Sequence, residues 1–171
     1  AFDFETSPDE KYRDDPKASL DPHRAHIVGV SFSVEEGTGV YVPVAHKAGG
    51  NIENAESLWA WLKGSLFESK SVVKAAHNLA FEAMFLYAMG ILVKSPCYDT
   101  IAAAQMTLKS KWEFRELRDS GLKYLATTLF GADMPSFETV TAGRYFDEMH
   151  PDEYETLRYA CADSDYTLRL Y

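Results

Sequence analysis

The first six residues, Ala1-Phe2-Asp3-Phe4-Glu5-Thr6, alternate two phenylalanines with two carboxylates in a run that fits a strand and is too short for a helix. A strand turns successive side chains to opposite faces, so Phe2 and Phe4 require a core on one side while Asp3 and Glu5 stand together on the other. Carboxylates buried at that spacing are costly unless a cation or a proton lies between them. Two kinds of fold are therefore open. Either the strand is an edge with its acids in water, or it is central and its acids form a cation site. Taken alone, the strand favours the edge.

The chain has 171 residues, of which 46% are hydrophobic, enough for one domain with a full core and without any run near the ~20 apolar residues of a membrane span. Cys97 and Cys161 are isolated thiols and no leader pattern precedes the first strand, so a reducing, intracellular setting is expected. The balance of 17 basic against 26 acidic residues, net −9, speaks against a broad basic face for nucleic acid. It is compatible with an acidic site that becomes competent only with divalent cations. Ala1 already lies in a strand and Tyr171 in a helical pattern, so residues 1–171 are expected to be a fragment of a longer polypeptide.

Residues 7–24 carry Pro8, Pro16 and Pro22 among many charges, and are expected to be a long loop that packs no core. His26 to Val34 reads as a strand, residues 35–39 as a turn, and Val40 to Val44 as the return strand of an antiparallel meander. A helix over 55–67, a short buried strand over Ser71 to Ala76 and a helix from His77 to Gly90 follow. In that helix Phe81, Met84, Phe85 and Ala88 are expected to face inward, with Glu82 near its start. Asp99 and Thr100 are expected to cap a helix over Ile101 to Leu108, with Asp99 structural. Residues 115–130 read as helical up to Gly131, and Ala132 to Gly143 as a polar loop around Phe137. Pro151 is placed to start a last helix, Asp152 to Tyr171, with Leu157, Cys161, Ser164, Leu168 and Tyr171 as its buried stripe. Tyr159 and Asp163 fall off that stripe, about 40° apart on one flank, a placement compatible with a solvated face.

Acidic residues thus stand at the start, middle and end of the chain, where one site could collect them. In Asp3-x-Glu5, His77-Asn78-x-x-Phe81-Glu82 and Tyr159-x-x-x-Asp163 the chain resembles the 3′–5′ exonuclease (proofreading) domain of family A DNA polymerases, the branch of the DnaQ-like exonucleases with a tyrosine in its third motif. Residues 27–32, 42–46 and 159–171 add to the likeness, which runs the whole length. It implies a ribonuclease H-like α/β fold, a mixed sheet of about five strands, three antiparallel and two parallel, packed with helices. It also implies two divalent ions, Mg²⁺ or Mn²⁺, held by Asp3, Glu5, Glu82 and Asp163, with Tyr159 orienting the attacking water. Asn78, with His77 and Phe81 around it, would steady the bound strand. Thr6 would meet the terminal nucleotide, Phe137 would pack on its base and Leu20 would act as an apolar wedge. The implied partners are a single-stranded DNA 3′ end and a polymerase domain in the same longer chain, with no membrane. In a bacterium or phage the setting would be the cytoplasm, close to the nucleoid.

Two departures from the family pattern stand out. Glu82 occupies the place of an aspartate, one methylene longer, and Ser7 to Ala18 looks inserted, expected as an inert loop before a lid or a contact to a neighbouring domain. Two rival readings remain, an RNase D-like ribonuclease with the same motifs and a scaffold that has lost its activity. The persistence of all four acids speaks against the scaffold.

Overall fold

The protein is described from a computed structural model over residues 1–15, 17–110 and 119–171, the side chains of 108–110 excepted. Three antiparallel strands, β1 (Phe2–Pro8), β2 (Ala25–Phe32) and β3 (Val40–Pro43), form the meander expected from their alternation, in the order β1-β2-β3. Two short parallel strands, β4 (Lys74–Ala76) and β5 (Cys97–Asp99), pair with each other, and β4 runs beside β1. Strand number and directions match the mixed five-stranded expectation, with the hydrogen-bonded ladders falling into two groups. The helices are α1 (Ala55–Leu62), α2 (Leu79–Ala88), α3 (Thr100–Ser110), α4 (Leu122–Phe130), α5 (Phe137–Thr141) and α6 (Tyr154–Leu170).

Each face of the meander carries its own core. Phe2, Phe4, Ile27 and Val30 pack with Leu62, Phe67, Phe85 and Leu86, so α1 and α2 cover one side. Phe67 meets Phe2 edge-on with ring centres 5.2 Å apart, a geometry that suits the aromatic quadrupoles. On the other side Val28, Tyr41, Val140, Phe146, Met149, Tyr159 and Ala160 form a second core beneath α5 and α6. Between Glu5 and Thr6 the register with β2 slips by one residue, leaving Val28 unpaired in the ladder. Strand β1, at the end of its ladder but with β4 alongside, is thus covered on both faces, which excludes a strand with its acids in water and leaves Glu5 buried.

Several elements differ from the sequence reading. β1 continues to Pro8, and the 7–24 segment does contribute to the interior, since Ser7 and Ala18 are fully buried. Its charges are the reason it stays down. Arg13 pairs with the buried Asp147 and with Glu148 at 3.2 Å, and its guanidinium stacks 4.3 Å over the Tyr145 ring. The helix over 55–67 is α-helical only to Leu62 and widens into a π-turn over Lys63–Phe67. Strand β4 begins at Lys74 rather than Ser71. Residues 111–118 lie outside the described residues, and with them the first part of the helix expected over 115–130; α4 itself begins at Leu122. The supposed polar loop around Phe137 contains α5, capped by Ser136, whose side chain accepts from the Thr139 backbone N–H.

The buried faces of two helices depart from expectation, for a common reason. In α2 the inward residues are Glu82, Phe85 and Leu86, while Met84 is exposed. In α6 they include Thr156, Tyr159, Ala160, Ser164 and Thr167, while Leu157 and Tyr171 reach solvent, and the helix starts after Pro151, at Tyr154. Both helices press a partly polar face onto a sheet that itself carries acids, so the apolar stripe does not mark the inside.

Candidate metal centre

Three segments far apart in sequence deliver the acids. β1 presents Asp3 and Glu5 to the side covered by α6, and the second core holds Tyr159 and Ala160 of that helix against the sheet. Asp163 follows Tyr159 by one turn, and ligand oxygens of Asp3, Glu5 and Asp163 all lie within 4.8 Å of one another. Glu82 comes from the first turn of α2, close enough for its charge to act on Asp3, although it lies outside that tight cluster.

The corner before α2 is unusually fixed. Asn78 adopts a left-handed φ of 82°, a conformation that asparagine tolerates better than most residues. Asp99, read as a cap for α3, does accept from Ile101 N, and also accepts from the backbone N–H groups of Asn78 and Leu79, both at 3.1 Å. One carboxylate thereby caps two helices. The His77 ring is held by Thr100 Oγ1 at 2.8 Å and by the Ser120 carbonyl at 2.9 Å, and burial lowers its pKa. The carbonyl can only accept, so Nε2 carries a proton and donates to it. Phe81 packs against Phe85, ring centres 5.0 Å apart, leaving Asn78 as the exposed member of this corner.

Electrostatics at the cluster favour a cation strongly. Burial first, and then the charge of Asp163, raises the Asp3 pKa well above the ordinary value. Glu5 rises for the same first reason, with Asp3 and Asp163 adding to it. Burial pushes Glu82 up to about 9, helped by Asp3, and Asp163 up to about 6 against the pull of Lys123. Glu5 Oε1, Glu82 Oε2 and Asp163 Oδ1 are buried and have no hydrogen-bond partner among the described residues. Unpaired carboxylate oxygens are hard donors, and such a donor set suits a hard divalent cation rather than a soft ion.

Lys123 is the site residue that sequence reading missed. Its ammonium donates to the Tyr159 hydroxyl at 2.8 Å and stands 3.8 Å from Asp163 Oδ2. The available signal was weak, a lysine in the first turn of a helix, where the dipole disfavours positive charge. Thr6, the residue after Glu5 on β1, borders a hollow of about 400 Å³ together with Ser19, Phe137, Arg144 and Tyr145. Thr6 Oγ1 donates to the Ser19 carbonyl at 2.9 Å, which ties β1 to the turn carrying the exposed Leu20. Phe137 stacks on Phe146 at 6.4 Å and meets the Tyr159 ring edge-on at 6.1 Å, joining the hollow's wall to the cluster.

Comparison with known proteins gives the chain a family. The profile of a 3′–5′ exonuclease family matches residues 1–171. DNA polymerase I of Pseudomonas aeruginosa is 30% identical over 178 residues, covering 100% of this chain and 17% of the polymerase. DNA polymerase I of Chloroflexus aurantiacus is 30% identical over 158 residues, 89% of this chain and 15% of that protein. The chain thus spans about a sixth of these relatives. Among solved structures, Brucella melitensis NrnC with bound Mg²⁺ superposes with a TM-score of 0.65 at 20% identity, over 99% of this chain and 67% of that one, a likeness of fold.

Proposed function

The chain belongs to the 3′–5′ exonuclease family of DNA polymerase I-like proteins, and from that premise we propose that it removes nucleoside 5′-monophosphates from single-stranded or frayed DNA 3′ ends, as the proofreading part of a family A DNA polymerase. The observation that carries this reading is the convergence of Asp3, Glu5 and Asp163 within 4.8 Å. Asp3, Glu5 and Asp163 would hold one divalent ion and Asp3 with Glu82 a second. Such ions neutralise the charge that builds on a phosphodiester under attack, lower the pKa of a water and stabilise the departing 3′ oxygen.

The protein's own groups do the rest. Tyr159, anchored by Lys123, orients the attacking water through its hydroxyl. Phe137 and the Thr6 backbone hold the terminal nucleotide, Leu20 wedges against the base before it, and Asn78 steadies the strand at the corner that His77 and Phe81 keep in place. Stacking and wedging act on any base, so removal is independent of sequence. Chain charge works against tight binding. At net −9 the exonuclease segment relies on the polymerase segment of the longer chain for most of its hold on DNA.

The test is single-turnover digestion of 5′-labelled DNA and RNA strands of equal length in Mg²⁺ and in Mn²⁺. The parent is expected to shorten DNA stepwise, and Asp3→Ala to lose at least ~10³-fold in rate with its fold intact, because removing a repelling carboxylate relieves the metal-free site. Equal digestion by Asp3→Ala sinks the mechanism. Preference for the RNA strand replaces DNA with RNA as the substrate, and an inert parent supports the scaffold alternative.

A further inference from the structure

Lys123 occupies a position that its own helix does not favour. It is the second residue of α4, whose first turn contains no acid and whose N-cap, Gly121, supplies no side-chain bond. A cation there opposes the helix dipole, and departures from local preference concentrate at functional sites. What the lysine gains lies across the interface, on α6. Its ammonium donates to the Tyr159 hydroxyl at 2.8 Å, sits 4.0 Å over that ring and faces Asp163 Oδ2 at 3.8 Å. It is about a third exposed, at the wall of a second hollow of about 320 Å³ that it shares with Asp163, so its charge is neither sealed in nor free in water.

We propose that Lys123 is a positioning residue with two opposed effects: it holds the Tyr159 hydroxyl in place for the reaction, and its ammonium competes with a divalent ion for the Asp163 carboxylate. The first effect follows from the direction of the hydrogen bond. An ammonium can only donate, so the phenol oxygen accepts from Lys123 and keeps its own proton for an oxygen in the reaction space. The second follows from distance. A positive charge 3.8 Å from a metal-ligating carboxylate repels an incoming cation and satisfies part of the negative charge that would attract it. The site therefore carries a resident cation whose removal strengthens metal binding and weakens catalysis.

That opposition of signs separates the proposal from a merely structural role, for which loss of the lysine would loosen the site and weaken both. The proposal rests on the exonuclease reading, and two readouts keep their failures apart. Lys123→Met, with Lys123→Gln as a second variant, is compared with the parent, each in the native and in the Tyr159→Phe background. Calorimetry without DNA measures Mg²⁺ binding, and single-turnover digestion at saturating Mg²⁺ measures the rate. Expected is Mg²⁺ binding roughly threefold or more tighter in the Lys123 variants. The rate is expected to fall about tenfold with Tyr159 present and to stay within about twofold with Tyr159→Phe, because the lysine acts through that hydroxyl. Unchanged or weaker Mg²⁺ binding overturns the competition, and equal rate losses in both backgrounds overturn the positioning. Should the parent digest no strand, the exonuclease reading fails while the Mg²⁺ measurement still decides the role of Lys123 as a competing cation.

Discussion

Glu82 is the acid that departs from the family pattern, and its surroundings show what the longer side chain meets. It is 2% exposed, its Oε2 has no hydrogen-bond partner among the described residues, and burial with the neighbouring Asp3 pushes its pKa to about 9. A lone carboxyl of this kind is a cost to the metal-free fold, and a cation would remove that cost. Its tether is stiff, because the Asp99 carboxylate pins the backbone at Asn78 and Leu79, where α2 begins. The extra methylene therefore moves the carboxylate and not the helix. If its ion is held largely through water, a shift of ~1 Å is absorbed by solvent, and charge neutralisation, the larger contribution, is retained. Glu82→Asp is accordingly expected to change the single-turnover rate by less than about fivefold and Glu82→Ala by about a hundredfold or more. Digestion by Glu82→Asp alone, with the parent inert in both Mg²⁺ and Mn²⁺, would mark the natural chain as a disabled enzyme.

Among the elements, α6 carries both the tyrosine and the third-motif acid, so its seat on the sheet sets the site. A close contact at that seat is Gly39, where a Cβ would come within 2.6 Å of Cys161 Cβ and 3.2 Å of its Cα and carbonyl oxygen. Cys161 lies midway between Tyr159 and Asp163. The helix cannot easily step back, since Asp165 accepts from Gly37 N at 2.8 Å. Gly39→Ala is therefore expected to cost about 2 kcal/mol and to lower the rate per folded molecule about tenfold, because misplacement by a fraction of an ångström degrades alignment. Thermal unfolding and single-turnover digestion check this together; a lower melting temperature with an unchanged rate would mean that the seat lies elsewhere. The same helix shows what sequence could and could not reveal. β1 was legible because Phe2 and Phe4 alternate with Asp3 and Glu5, which period 2 puts on one face, and β2 and β3 because runs rich in Val, Ile, Phe and Tyr flank a glycine-bearing turn. The inward face of α6 was legible only in part: of the expected stripe Leu157, Cys161, Ser164, Leu168 and Tyr171, Ser164 is buried, but the helix also buries Thr156, Tyr159 and Thr167 against an acid-bearing sheet while Leu157 and Tyr171 reach solvent. Three-residue β5 and five-residue α5 are too short for periodicity to register. Lys123 was hidden because its partner Tyr159 lies 36 residues away, on another helix.

For the molecule as a whole, net charge and site charge act in the same direction: 26 acidic residues against 17 basic ones, with four acids gathered where burial resists their ionisation. A group whose folded pKa is raised lends stability that is complete below its unfolded pKa and is lost as pH rises through the folded one. For Asp163 that loss runs from 3.8 to about 6, and for Glu82 from 4.5 to about 9. A tenfold difference in proton affinity between the folded and unfolded chain is worth ~1.4 kcal/mol at most. Between pH 6 and 8 Asp163 completes its ionisation and Glu82 is still losing its proton-linked stability. The metal-free melting temperature is therefore expected to fall over this interval. Glu82→Gln, which keeps the shape and cannot ionise, should fall less, matching the parent near pH 4.5 and exceeding it at pH 8. Divalent ions reverse the trend, because protons compete with them for the same oxygens and ligation stabilises only the folded chain. The rise in melting temperature on adding Mg²⁺ should consequently be larger at pH 8 than at pH 6 in the parent, and that difference should shrink in Glu82→Gln. Differential scanning calorimetry of both proteins at the two pH values, with Mg²⁺ and with a chelator, measures the proton and metal effects together. Parallel pH dependence of parent and variant would mean that Glu82 ionises as freely in the folded chain as in the unfolded one, and would remove it from the charged centre that the other three acids form.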